Sequence, residues 1–210
     1  MDDRLKKAFL QFNEIWEEIK AGDFYSNTTN DAFEYLLKSL INTEYKTEVK
    51  KEILQSLGGL EDTILSLEDM PPFFYILLSI KDQDITKAIE DMIISYFKKE
   101  KGSQRGAFQV VNLCDILAQN NQNFHSFIKN AVSLIDEQMD LNSIDAMAGM
   151  LCMQYPDLTK YFIHKFAEME NEELLTNLIN IVGKEGILKL LETRNTIMIN
   201  KILKKVKGKK

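Results

Sequence analysis

The sequence predicts an all-α fold, and three observations carry that expectation. Proline occurs only three times and glycine nine times in 210 residues, too little punctuation for a many-stranded sheet. Leucine, isoleucine, lysine and glutamate are plentiful, and hydrophobic residues make up 45% of the chain, a balance that favours helices. Apolar residues also recur at offsets of three and four, which places them on one side of a helix. At this length roughly 70% of the unfolded surface can be buried, so no disulfide or metal staple is required.

The first helix is predicted over Asp3 to Lys20, where Leu5, Phe9, Phe12, Trp16 and Ile19 follow a 4-3-4-3 spacing. The narrow stripe suits a helix capping a stack; a coiled-coil seam needs more heptads. Ala21-Gly22-Asp23 ends it, and Ser26 to Asn30 reads as a polar loop. Asp31 with Glu34 three residues later resembles a capping box, opening a helix buried through Phe33, Leu36, Leu37, Leu40 and Ile41. Its partner is expected from about Thr43 to Leu57, with Tyr45, Val49, Ile53 and Leu57 on one face and Gly58-Gly59 as the stop. A short helix over Leu60 to Leu67 then meets Met70-Pro71-Pro72, where missing donors and a restricted preceding residue force a break. Phe73 to Ile80 is apolar nearly all round, and Asp82-Gln83-Asp84 caps a helix carrying Ile85, Ile89, Ile93 and Phe97.

Lys98 to Gly106 reads as a basic, mobile connection; it lacks Gly-Lys-Ser/Thr and follows a helix, so it is not a phosphate-cradling loop. Ala107 to Gln119 supplies Val110, Val111, Leu113, Cys114 and Leu117 as partner to Asn120–Gln138, whose stripe is Phe124, Ile128, Val132 and Ile135. Ile144 to Met153 is apolar on almost every side and is expected to be the best-buried helix, its methionines filling gaps. The rival reading of those methionines is an adaptable binding groove or a soft-metal site. Pro156-Asp157 opens a helix with Leu158, Phe162, Phe166 and Met169, and Asn171 caps another with Leu174, Leu175, Leu178, Ile181 and Val182. Gly183 and Gly186 bracket a turn into Ile187–Leu191, and Asn195 starts a last helix through Met198, Ile202 and Val206.

The first apolar residues of the second helices, Tyr45, Ile85, Phe124, Leu158 and Met198, are separated by 40, 39, 34 and 40 residues. In this period and pattern the chain resembles the HEAT/armadillo class of helical repeats, without a family-specific motif. That resemblance implies a right-handed α-α superhelix, a solenoid of about five helix pairs. On this reading residues 1–210 form one all-α domain, with a capping helix over 1–22, repeats over 29–200 and a basic tail over 201–210. A compact all-α bundle is the alternative arrangement of the same helices.

The net charge is −6, and the last ten residues hold six lysines and no acid. Removing that tail leaves −12 on the first 200 residues, a poor match to a phosphate backbone. DNA-alkylation-repair enzymes of the helical-repeat class need a basic groove, so that analogy is not favoured. The two cysteines, Cys114 and Cys152, lie in apolar helical runs and are expected to be free, buried thiols. No segment approaches the ~18 apolar residues of a membrane span, and the amino terminus does not resemble a signal peptide. A cytoplasmic protein is expected, without a membrane partner.

Neither His125 nor His164 is part of a His-x-x-x-His or Glu-x-x-His arrangement, so no metal site is predicted. The acid clusters Glu168/Glu170/Glu172/Glu173 and Asp136/Glu137/Asp140 fall at helix borders, where solvated carboxylates are routine. No catalytic residue and no cofactor is therefore assigned. The expected function is a non-enzymatic protein-interaction module presenting a curved surface to a protein or peptide. The alternatives are a nucleic-acid-associated protein using its lysine tail and an all-α enzyme with an inter-helix pocket. Positions two and six after each anchor lie about 200° and 240° around the helix from it, which defines a candidate ladder. It runs Thr47 and Lys51, Lys87 and Asp91, Ser126 and Asn130, Lys160 and His164, Asn200 and Lys204, with Tyr161 beside Lys160.

Overall fold

The computed structural model describes residues 3–67 and 69–183, which form ten α-helices and one 3-10 turn with no strand among them. In order these are α1 Asp3–Lys20, α2 Asn27–Leu40, α3 Lys46–Leu65, α4 Pro72–Ser79 and α5 Gln83–Lys99. There follow α6 Gln104–Gln119, α7 His125–Ser133, α8 Leu141–Gln154, the 3-10 turn Pro156–Leu158, α9 Thr159–Glu168 and α10 Glu172–Val182. The fold is all-α, as its periodicity requires. The turn and last helix expected beyond Gly183 lie outside the described residues. Two compact units divide the chain, with boundaries inside α5, inside α6 and in the connection from α6 to α7. Among the described residues the first comprises those up to Tyr96 with Asp115–Gln122, and the second Phe97–Cys114 with those from Asn123 to Gly183.

In the first unit α1 packs on α2 and α3, and α2 reaches α4. Phe12, Trp16 and Ile19 are buried, while Leu5 and Phe9 at the open end of the stripe are half-buried. The Trp16 ring stacks on Phe33 at 5.3 Å and meets Phe73 edge-on at 5.8 Å. Its indole N–H donates to Ser56 Oγ at 3.1 Å, so the polar handle of a fully buried ring is satisfied.

Two predicted boundaries in this unit are corrected. Helix α2 starts at Asn27, because Ser26 Oγ accepts the Thr29 N–H at 3.2 Å, and the Asn30 amide donates to the Phe24 and Ser26 carbonyls at 2.9 Å each. The polar run expected to be a loop is thus the first helical turn, and Asp31 lies inside the helix instead of capping it. Helix α3 continues through Gly58-Gly59 to Leu65, merging two predicted helices. Leu57, Leu60, Ile64 and Leu65 are all buried, and that burial outweighs the ~1 kcal/mol that each glycine costs a helix interior. The proline break stands as expected, with Pro72 opening α4. Asp82 Oδ1 then caps α5 by accepting the Asp84 and Ile85 N–H groups at 3.0 and 3.2 Å.

In the second unit α7 packs on α9, while α8 and α9 both pack on α10. Phe124, Ile128, Val132 and Ile135 are buried as the stripe predicts, although α7 spans only His125–Ser133. The basic connection is shorter than expected, because α5 runs to Lys99 and α6 begins at Gln104. It is also tied down, since Lys101 carbonyl accepts the Asp140 N–H at 2.9 Å and Gly102 is buried against Ile144 and Met139. Helix α8 buries Ile144, Met147, Ala148, Leu151 and Cys152, but Met150 is 42% and Met153 73% exposed. The expectation of a helix buried on every side is therefore corrected to an amphipathic one with methionines on its open face. Asn171 caps α10 through the Leu174 N–H at 3.0 Å, and Ile181 near its end is 42% exposed. No described helix is long and apolar enough to cross a membrane.

Candidate functional site

Among the ladder positions, Thr47, Lys51, Lys87, Asp91, Ser126 and Asn130 are exposed, and Lys160, Tyr161 and His164 are half-buried. Asn200 and Lys204 lie outside the described residues. Thr47 and Lys51 share a shallow apolar depression with Leu54 on α3. Lys87 and Asp91 form an i, i+4 ion pair at 2.6 Å, so each neutralises the other.

Lys160 and Tyr161 belong to a denser arrangement on the second unit. The Lys160 ammonium sits 5.0 Å from the centre of the Tyr161 ring, a cation-π contact at a wet surface. Tyr161 in turn meets His125 edge-on at 6.2 Å, and His125 stacks on Phe124 with an interplanar angle of 8°. Phe124 closes the group against Tyr155 at 4.8 Å. One imidazole nitrogen, Nε2 of His125, lies 3.0 Å from Asp157 Oδ2. Local sequence explains the convergence: His125 opens α7, Pro156 starts the 3-10 turn that carries Asp157, and Tyr161 follows in the first turn of α9. The result is a partly exposed aromatic platform with an acid against His125 and an ammonium over the Tyr161 ring. Periodicity ranked His125 as an ordinary surface histidine, and Asp157 and Tyr155 were missed. The available signal was the density of rings in Phe124-His125 and Tyr155-Pro-Asp.

On the first unit, a polar cleft of about 660 Å³ opens between the C-terminal ends of α2 and α4 and the starts of α3 and α5. Lys38, Lys46, Lys50 and Lys81 line it, against Asp82 and Asp84. Lys50 holds both acids, at 2.8 Å from Asp82 Oδ1 and 2.5 Å from Asp84 Oδ2. Burial pushes the Asp82 carboxyl up, but hydrogen bonds from Lys50 and from the Ile85 and Asp84 N–H groups outweigh it and hold it below the usual carboxylate range. The same pair of acids raises the Lys50 ammonium, through its hydrogen bonds to Asp82 and Asp84. The ladder includes none of these four lysines, because a helical stripe cannot show that two helix ends converge.

Both cysteines are free and buried. Burial pushes the Cys152 thiol up to about 11 against an opposing hydrogen bond with Thr159, so it is no nucleophile at neutral pH. Among the described residues no three His, Cys, Asp or Glu side chains are grouped to hold a metal ion. Comparison with described protein families, with curated proteins and with solved structures finds no match to this chain.

Proposed function

We propose that this chain is a protein-interaction module that acts inside the cell, built as a short right-handed α-α superhelix. The observation that carries the reading is the aromatic platform Phe124/His125/Tyr155/Tyr161, which holds rings and charges of both signs together at a partly exposed surface. Rings bearing a polar edge supply contact area at low conformational cost, and such residues are the common anchors of protein interfaces. The superhelical part of the reading is supported by packing two helices along the chain, α2 on α4, α7 on α9 and α8 on α10. It is supported also by polar contacts that recur at a separation of 32 residues, between Lys20 and Glu52, Lys50 and Asp82, Lys165 and the Ser133 carbonyl, and Asn177 and Asp145. Repeat arrays make contacts between neighbouring units at such separations.

Two measurements test the proposal. Affinity capture from native lysate, with and without nuclease, is expected to retain proteins irrespective of nuclease and to lose them with the Lys160→Glu/Tyr161→Ala variant at unchanged helicity. Retention abolished by nuclease would transfer the reading to nucleic acid, and retention unaffected by the variant would remove the platform from it. Small-angle scattering is expected to give a radius of gyration above the ~17 Å of a 210-residue globule. A value at that figure would replace the superhelix by a compact bundle.

A further inference from the structure

The lysine cleft of the first unit gathers more ammonium groups on one set of walls than its own two acids can neutralise. Its two acids are both engaged by Lys50, and Lys38 is paired with Glu34 four residues before it. Lys46 and Lys81 remain, both exposed and neither with a carboxylate partner among the described residues. Lys46 is the first residue of α3, whose N-terminus has no side-chain cap. Lys81 is held at φ 56° in the turn from α4 to α5. Two unpaired ammonium groups thus face one cleft in a protein whose net charge is −6, an arrangement that attracts an anion.

Other features of the cleft narrow the class of ligand. Ile41 and Ile80 line it half-buried, an apolar surface that an inorganic anion would not use. Asn42 and Gln83 add exposed side-chain amides to the same walls, able both to donate to and accept from a peptide backbone. The volume of about 660 Å³ is within the range of small-ligand sites, though the lining is more polar than theirs. Carboxylates set against Lys46 and Lys81, an apolar side chain on Ile41 and Ile80, and main chain along the amides would use every wall.

We propose that this cleft binds an acidic peptide segment, a run of Asp or Glu side chains interrupted by an aliphatic one, with Lys46 and Lys81 as the groups that select its charge. The proposal rests on the interaction-module reading and names the chemistry of one partner; it uses no residue of the aromatic platform.

The full chain, immobilised and panned against a random peptide library displayed on phage, provides the test. Selected peptides are expected to be enriched in Asp and Glu around Leu, Ile or Val. A synthetic peptide of the consensus should then bind the Lys46→Glu/Lys81→Glu variant at least tenfold more weakly than the unsubstituted chain, and its affinity should fall as salt rises. A control variant, Lys6→Glu/Lys7→Glu on the exposed side of α1, should bind as the unsubstituted chain does. Milder Lys46→Gln/Lys81→Gln substitutions should give an intermediate loss with unchanged circular dichroism, which separates lost binding from lost fold. No acidic enrichment, or a consensus peptide that binds the charge-reversed variant equally well, would overturn the proposal. Capture of a platform-dependent protein from lysate would then still leave the interaction reading in place.

Discussion

Glu90 shows how far a single side chain can be read. It lies on α5 with a side chain 13% exposed and the Lys87 ammonium 4.0 Å away. Burial raises its carboxyl above the usual range; Lys87 opposes that shift and Asp91 adds to it. An acid raised in the folded state binds its proton more tightly there than in the unfolded chain. Folding stability therefore falls as pH rises from the ordinary carboxylate value through the raised one, and the deficit persists at neutral pH. Glu90→Gln is expected to raise the melting temperature at pH 7 by on the order of 2 °C, with the gain shrinking at pH 4. Melts of both chains at the two pH values check this; a less stable variant at pH 7 would mean that the Lys87 attraction outweighs burial. At this scale the sequence identified the buried stripes well, since Ile85, Ile89, Ile93 and Phe97 are all fully buried. It could not show that Glu90, between them, is also enclosed.

Helical elements were legible in type and less so in extent. A Gly-Gly pair after Leu57 suits a helix stop, yet Gly58 and Gly59 are helical and a Cβ at either position would meet nothing within 4 Å. Gly58→Ala and Gly59→Ala are each expected to stabilise the chain by about 0.5–1 kcal/mol, because alanine loses less backbone entropy on folding. Gly106→Ala should have the opposite sign, as its Cβ would lie 3.3 Å from the Phe97 Cα, a backbone atom with little freedom to move. Urea denaturation of the three variants checks the signs; stabilisation by Gly106→Ala would show that α5 and α6 can separate without penalty. The capping error has the same origin as the glycine error. Ser26 and Asp31 are both chemically able to open a helix, and the choice of Ser26 is accompanied by the Asn30 amide reaching back to Phe24 and Ser26.

For the whole molecule, charge is the property most directly carried by sequence. The basic tail opposes an acidic body, and the proposed partner sites, platform and cleft, both lie before residue 165. Truncation after Asn200 is therefore expected to leave capture of the protein partner unchanged in a side-by-side comparison with the full chain. Loss of binding on truncation, with steep salt dependence in the full chain, would instead favour the nucleic-acid reading.

Composition and periodicity by themselves determined the helical class and most of the buried helix stripes, because each follows from residue type and a 3.6-residue repeat within one segment. Tertiary structure alone decided that α3 passes through two glycines, that methionines 150 and 153 face outward, and that Lys46, Lys81 and Asp82 share a cleft. It also brought His125, Asp157 and Tyr161 to one surface. The physical reason is common to these cases: a helix period specifies direction around one axis, whereas a site or a helix end depends on which other helices arrive there.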